Sequence, residues 1–485
     1  MDNEVEYFVL NQLNTSPLII ENILNDSKSK NSHRYVFNTI KSTIDQFIEG
    51  NHASRFLILP GIRGTGKTTL IYQAYDYIIN SKNINSERVL FIDAEKLMAK
   101  LSLNLENTLD YFIKYYHEGY PVLDEPLFIL IDEAHYDKNW EKTLKLIFNY
   151  YPQVFILCTG SSALELEISP DSARRSDKFP VNPLSFREYL NLKHGIDISG
   201  KDGNNISSLL FSYPNENNIF KAYNSEKKIN KDLFSLKKPA DKEWKYYLKY
   251  GGFPYEFNIE KELVTLRTIE LINKVIKYDV DPIYSTTYSS KLTANFLIQL
   301  LASQKPGETS QNKLRQTIQE GSGEKVANGT LNQLLDTFEK TKLIFHVEPY
   351  ASPFKAVKKP WKYYFAHPCL KYALWLGSRI ASQDSNQLCG ILAENLAAFQ
   401  IHSLIYNGLV ECYYDPLKGG VDFLLSSVNG LVPIEVGIGK KSLKQVKTAM
   451  NNYNSQFGVL ISNRTDYITV EEDITCIPVR TFSLI

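Results

Sequence analysis

The sequence predicts an α/β chain of several modules. A parallel sheet with helices on both faces comes first, then a mainly helical middle, then a second α/β unit at the end. Three observations carry this. An apolar run from Arg55 to Pro60 leads straight into a glycine-rich loop and then an apolar-periodic segment, Leu70 to Ile79, which is the strand–loop–helix order of a parallel sheet. Further apolar runs at Arg88–Asp93, Leu127–Ile131 and Val154–Thr159 alternate with helical stretches, so these strands should be buried on both faces. Near the end, Val421–Leu425 and Val432–Gly437 read as partner strands beside a helix carrying Glu394.

Composition narrows the field. At 485 residues the chain exceeds what one core supports and suggests about three domains. Lys and Arg total 54, as do Asp and Glu, so no global field points to nucleic acid or membrane, and any such partner must meet a local patch. Five scattered cysteines with no C-x-x-C pair argue against a zinc site or a disulfide framework and for a reducing compartment. The acidic start, MDNEVEYFVL, lacks the basic and apolar regions of a secretory signal. Apolar runs such as Leu127 to Ile131 are too short to cross a bilayer, so the expectation is cytoplasmic, with no membrane partner.

In chain order, residues 1–50 read as helices leading into a nucleotide-binding core, with apolar residues at helical spacing from Tyr35 to Ile48. The loop Gly61-Ile62-Arg63-Gly64-Thr65-Gly66-Lys67-Thr68, followed by Thr69, fits the phosphate-loop pattern G-x-x-x-x-G-K-[ST]. Its glycines let successive N–H groups point into one anion-sized hollow, and the new helix adds its positive end. Lys67 reaches the outer phosphates and Thr68 offers a hydroxyl to Mg²⁺, so the loop should bind a nucleoside triphosphate. A helical stretch is expected from Ala94 to His117. The strand ending Ile131-Asp132-Glu133-Ala134-His135 delivers two acids at its tip, as a Walker B element requires. Asp132 would hold the Mg²⁺ shell and Glu133 would orient and polarise the attacking water. The strand ending at Thr159 runs into Gly160-Ser161-Ser162. Thr159 and Ser161 are candidates for a polar sensor of the γ-phosphate, and a helix cap would use the same letters.

At this point a family resemblance enters. Thr159-Gly160-Ser161-Ser162-Ala163-Leu164, then Arg174-Arg175, then Pro183-Leu184-Ser185-Phe186-Arg187-Glu188-Tyr189 resembles a prokaryotic AAA+ ATPase group related to the STAND NTPases. The resemblance implies an ATP- and Mg²⁺-dependent core with ADP as product, a winged helix and a C-terminal nuclease-like domain. It also implies that Arg174 or Arg175, just before a short strand from Phe179 to Asn182, neutralises the γ-phosphate within the chain or from a neighbouring copy in a homo-oligomer. Surface arginines would look the same.

The resemblance organises the rest. Residues 51–195 would form the core and 196–285 a helical lid. The lid's Asn-, Ser- and Lys-rich insertion from Asp197 to Lys242 shows weak periodicity, and a helix is expected over Leu263–Tyr278. Tyr250-Gly251-Gly252-Phe253-Pro254 resembles the Gly-x-Pro turn that sets a proline, here Pro254, on adenine. Residues 286–350 have a winged-helix rhythm: helices around Phe296–Leu301, Ser310–Ile318 and Val326–Thr341, a turn at Gly321-Ser322-Gly323, and a strand from Lys342 to Val347. Asn328, Thr330, Asn332 and Gln333 would be the DNA readers, although Glu308, Glu320, Glu324, Asp336 and Glu339 dilute the lysines and favour a regulatory role. Residues 351–384 are expected as a linker in which, by the resemblance, Lys362–Phe365 form a strand before a short helical link from Leu370 to Ile380. It holds the densest basic–aromatic stretch: Lys355, Lys358, Lys359 and Lys362 with Trp361, Tyr363 and Tyr364.

Residues 385–485 resemble a PD-(D/E)XK nuclease, with Asp422 and Glu435 on adjacent strands as its metal-holding pair. The pattern's lysine, two residues after the glutamate on the same strand face, is Gly437 here. Lys440, Lys441 or Lys444 would have to substitute, and without that the domain serves binding or assembly. DNA is therefore expected as a partner through this domain and the winged helix.

Overall fold

The computed structural model describes residues 3–26, 32–118, 125–161, 175–280, 288–307, 310–322, 326–352, 359–377, 385–405, 410–427 and 430–485. The chain divides into two compact units, Met1–Asn182 and Pro183–Ile485.

In the first unit, α1 (Asn3–Asp26) and α2 (Val36–Ile48) precede β1 (Phe56–Pro60) and α3 (Lys67–Asp76). Then come β2 (Val89–Asp93), α4 (Ala94–Leu101), α5 (Leu105–Asp110), β3 (Leu127–Asp132), α6 (Trp140–Tyr150), β4 (Val154–Gly160) and the two-residue β5 (Asp177–Lys178). The sheet order is β2-β3-β4-β1-β5, and all pairs are parallel. Alternate strand residues divide between two cores, as the pleat requires. Phe56, Ile58, Ile129, Ile131 and Ile156 pack with α5 and the first turns of α1, while Leu57, Leu59, Phe128, Leu130 and Phe155 pack with α2 and α3. Burying both faces is why these strands read as unbroken apolar runs.

Two local expectations shift. The stretch expected as one helix from Ala94 to His117 breaks after Leu101: Ser102 takes a left-handed φ of 54°, and the Asn104 side chain caps a new helix by accepting from Asn107 N–H. The last strand starts at Asp177 rather than Phe179. Its pairing beside β1 continues through the alternate donors Phe179 and Val181 N–H, and Pro180 between them falls on the outer side of this edge strand, where no ladder donor is needed.

The second unit opens with α7 (Phe186–His194), held by a Ser185/Glu188 capping box, then α8 (Gly200–Ser207), α9 (Glu216–Leu233), α10 (Ala240–Tyr250) and α11 (Lys261–Val275). Next are α12 (Tyr288–Ser303), α13 (Gln311–Ser322), α14 (Asn328–Lys340), β6 (Ile344–Pro349), β7 (Lys362–Phe365) and α15 (Pro368–Gly377). The chain finishes with α16 (Ser385–Ile405), β8 (Glu411–Tyr414), β9 (Phe423–Ser427), β10 (Gly430–Gly437), α17 (Lys444–Tyr453), β11 (Gly458–Ser462), β12 (Thr469–Glu471), β13 (Ile474–Ile477) and α18 (Val479–Phe482). Gly321 and Ser322, expected in a turn, are the last residues of α13, while Gly323 lies outside the described residues.

Eight strands form one sheet in the order β12-β13-β11-β10-β9-β8-β6-β7. Strand β6 joins two parts of it, pairing antiparallel with β7 and parallel with β8. Within the stretch expected as a linker, the strand anticipated at Lys362–Phe365 is β7, a member of this sheet, and the anticipated helical link is α15, whose Pro368–Trp375 are all buried. The expected lid does not stand apart either. Trp244 and Tyr247 of α10 share one core with Phe423, Ile434, Val459 and Phe482. Weak periodicity in α9 has a physical cause: its buried face includes Ser225 and Glu226, and the Glu226 carboxylate accepts from Thr481 Oγ1 (2.6 Å) and Ile468 N (2.7 Å). Within α16, Gln387–Ile405 is apolar and long enough to cross a membrane, and 67% of it is buried in this core.

Candidate functional site

In the first unit the carboxyl ends of β1, β4 and β3 lie side by side, and the predicted residues sit on them. Leu59 pairs with Thr159 and Ile131 with Cys158, so the phosphate loop, Thr159 and Asp132 emerge at one edge. The loop's shape needs its glycines. A Cβ at Gly61 would fall 2.5 Å from the Val181 carbonyl oxygen, and Gly66 turns into α3 with φ 90°. The turn is further fixed by Thr65 Oγ1 donating to Ile62 O (2.9 Å). Lys67 and Thr68 occupy the first turn of α3, with Thr69 next to them.

Thr68 Oγ1 donates to Asp132 Oδ2 at 2.7 Å, and Thr159 Oγ1 donates to Asp132 Oδ1 at 2.5 Å. Thr159 Oγ1 in turn accepts from Glu133 N–H (3.0 Å). Lys67 Nζ donates to the carbonyls of Gly61 (2.9 Å) and Ile62 (3.3 Å), with Glu133 Oε1 3.9 Å away. Glu133 itself has a left-handed backbone, φ 53°, which an L-residue adopts only when its surroundings enforce it. Asp132 is 7% exposed, and burial pushes its carboxyl above the usual range. The neighbouring Glu133 charge adds to that rise, while the two threonine hydroxyls and Lys67 oppose it. Neutral hydroxyls thus hold a buried acid whose ionised form would welcome a cation, and hard oxygens from Thr68 and Asp132 suit Mg²⁺.

Of the other expected residues, Ser161 is buried and its N–H points to His135 Nδ1 at 3.5 Å. Arg63 bonds the Tyr136 hydroxyl. Arg175 is half-buried in a turn, and Arg174 lies outside the described residues. Pro254 belongs to the second unit, where it opens the short turn Pro254–Asn258. Two residues escaped the sequence reading. His135 Nδ1 lies 3.3 Å from Glu133 Oε2, and its signal was adjacency to the acid pair. Buried Arg34 donates to Thr65 O at 2.9 Å and braces the loop from thirty residues upstream, where nothing in the sequence marks it.

The second unit assembles another acidic group. Asp422 stands just before β9, and the β9–β10 register (Phe423 opposite Ile434) turns it toward Glu435. Asp422 N–H donates to Glu435 Oε2 (3.3 Å), and Val436 N–H donates to Asp422 Oδ2 (2.9 Å). Glu394 on α16 joins them, accepting from Tyr364 OH at 2.8 Å. Two lysines face the three acids. Lys362 Nζ of β7 is 3.7 Å from both Glu394 and Asp422, and Lys441 Nζ bonds Glu435. Gly437 explains how Lys441 gets there, since a Cβ at that position would lie 2.3 Å from Lys441 Cε. Burial and the Asp422 charge nonetheless push Glu435 up to about 7. Among the described residues no group of three or more His, Cys, Asp or Glu is placed to hold a metal ion. Asp422 and Glu435 are thus adjacent as the sequence reading required, and each has a lysine beside it.

The comparisons with known proteins agree with the first unit's geometry. A family described as AAA domain matches residues 53–190, and one described as a domain of unknown function (DUF8612) matches 241–384. The chain is 32% identical over 482 residues to uncharacterized protein MJ1637 of Methanocaldococcus jannaschii, covering 99% of this chain and 93% of that one. An uncharacterized protein of Haemophilus influenzae is 22% identical over 314 residues, covering 63% and 66%. Among solved structures, the Walker-type ATPase PABY2304 of Pyrococcus abyssi is 14% identical with a TM-score of 0.39, covering 71% of this chain and 95% of that one. The chain belongs to the same family as MJ1637, and its residues 53–190 match the AAA domain.

Proposed function

We propose that this chain binds ATP with Mg²⁺, hydrolyses it, and uses the cycle as a switch for its second unit. The observation that carries this is the convergence of Thr68 and Thr159 on the two oxygens of Asp132, beside Lys67 and Glu133. Amides of Gly64 to Thr69 and the Lys67 ammonium would bind the phosphates. Thr68 and Asp132 would hold Mg²⁺, which when bound offsets charge on the phosphate oxygens. Glu133 would take a proton from water as its oxygen attacks the γ-phosphorus. The bond to the β-phosphate oxygen then breaks, leaving ADP and phosphate. Thr159 would fix both acids, Ser161 would shape the same edge, and Arg174 or Arg175 would counter the γ-phosphate charge in cis or across a homo-oligomer. Pro254 would contact adenine as part of a STAND-like lid. Turnover by the full chain should fall about 100-fold or more in Glu133→Gln while ATP binding survives. Equal loss of binding and turnover would refute the role given to Glu133.

A second reading rests on Lys441. Its side chain fills the space beside Gly437 and meets Glu435, which supplies the lysine missing from the nuclease-like pattern. On this reading α12–α14 with the β6–β7 hairpin act as a winged helix that brings DNA to Glu394, Asp422 and Glu435. Nicking of supercoiled plasmid with Mg²⁺ or Mn²⁺, lost in Asp422→Ala and Glu435→Ala, supports it. Intact plasmid under all conditions rejects it and leaves the domain a binding or assembly module.

A further inference from the structure

Strand β7 separates two environments. Lys362 and Tyr364 face the acidic group, while Trp361 and Tyr363, the alternate residues, line a cleft of about 600 Å³ between α13, α14 and the hairpin. We propose that this cleft takes an unpaired nucleobase of a single-stranded nucleic acid. The volume suits a small planar ligand. Its aromatic wall is preformed: His346 stacks on Trp361 with ring centres 3.9 Å apart and planes 12° apart, and Tyr363 lies 6.4 Å from Trp361. The wall is held still by its own bonds. His346 pairs with Tyr363 across the strands, Nδ1 bonds Glu339, and Nε2 is 3.5 Å from Glu348.

Asn332 and Gln311 also line the cleft: the Gln311 amide bonds the Tyr363 hydroxyl and steadies that ring, and Asn332 brings an amide, which donates and accepts as base edges require. The cleft's carboxylates are already engaged, Glu339 by His346 and Asp336 by Lys340 at 2.7 Å, so the lining offers an incoming cation little charge. A duplex keeps its bases paired and stacked and presents mainly phosphates, whereas a splayed base is uncharged and can enter the cleft, where Lys359 of the lining is available to its phosphate. The basic–aromatic stretch is therefore divided in use: Trp361 and Tyr363 serve the cleft, and Lys362 serves the carboxylates.

A nucleobase can arrive on a strand or as a free nucleotide, and the test separates the two. Anisotropy of a fluorescein-labelled 12-nucleotide single strand is read with the full chain, without ATP, against the matching duplex and against unlabelled AMP and TMP as competitors. The single strand should bind at least tenfold tighter than the duplex. Trp361→Ala should weaken it about 10- to 100-fold, the range that loss of one stacked base produces, while Trp361→Phe keeps most of the affinity. Asn332→Leu should weaken it severalfold. Unchanged affinity in Trp361→Ala and Asn332→Leu, or equal binding of duplex, overturns the proposal. So does a Trp361→Phe loss as large as that of alanine, which would mark a packing role. Displacement of the strand by millimolar AMP or TMP alone would overturn the strand assignment in favour of a mononucleotide. The inference does not rest on hydrolysis, because turnover is measured separately in the same preparations and its absence would leave the anisotropy result standing.

Discussion

Asp132 in the first unit and Glu435 in the second are both buried on strands with parallel partners, and burial raises both carboxyls. They differ in what faces them. Asp132 accepts from two threonine hydroxyls, and the nearby Lys67 is turned to carbonyl oxygens of its own loop. Glu435 is met directly by Lys441, and its neighbours Asp422 and Glu394 by Lys362. Hydroxyls orient a carboxylate without cancelling its charge, whereas an ammonium cancels it. The first site meets its acid with neutral donors, and the second meets its acids with cations that leave Glu435 still raised to about 7. Donor chemistry, rather than the presence of acids on strand tips, separates the two sites.

The strongest way to break this contrast is Asp132→Asn. Turnover should fall about 100-fold or more because the cation loses its anchor. The nucleotide-free protein should nevertheless melt higher, by about 2–4 °C, the shift that ~1 kcal/mol produces in a unit of this size. The reason is sign: a buried acid with a raised pKa costs stability once it ionises, and asparagine can still accept from one threonine while donating to the other. A lower melting temperature would mean that the fold compensates the ionised Asp132.

A smaller effect sharpens the other side. Glu435 rises from 4.5 to about 7, so across that pH window the folded chain holds a proton that the unfolded chain has released. Stability should therefore decline as pH rises through the window, and Glu435→Gln should flatten that decline in thermal melts at a series of pH values. An unchanged slope would remove Glu435 as its source. The smallest effect is expected from Gly437→Ala. Its methyl group would displace the Lys441 chain, so the fall in stability should extend to higher pH, with ATP turnover unaltered.

Legibility followed locality. The phosphate loop, its strand and its helix are contiguous, and the acid pair ends a six-residue buried strand, so backbone geometry alone carries those residues to one sheet edge. Arg34 was invisible because its role is set by how the N-terminal segment packs against the loop. Lys362 was expected in a linker or wing strand, and its partners were not legible because nothing local reveals that β7 pairs with β6 and that β6 in turn joins β8. The lid and the tail looked like separate modules for the same reason: Trp244 Nε1 donates to Ser483 Oγ at 2.8 Å across 239 residues, a contact with no sequence period behind it.

The bare backbone at residue 437 also sets the order in which evolution can move. A lysine placed there would drive two long cationic chains into the same volume, so that step alone is penalised. Lys441 would first have to shorten or turn away, which leaves Glu435 facing its own buried charge in the interval. A side chain at 437 and the Lys441–Glu435 bond thus exclude one another, and any route to a larger residue there runs through the loss of that bond.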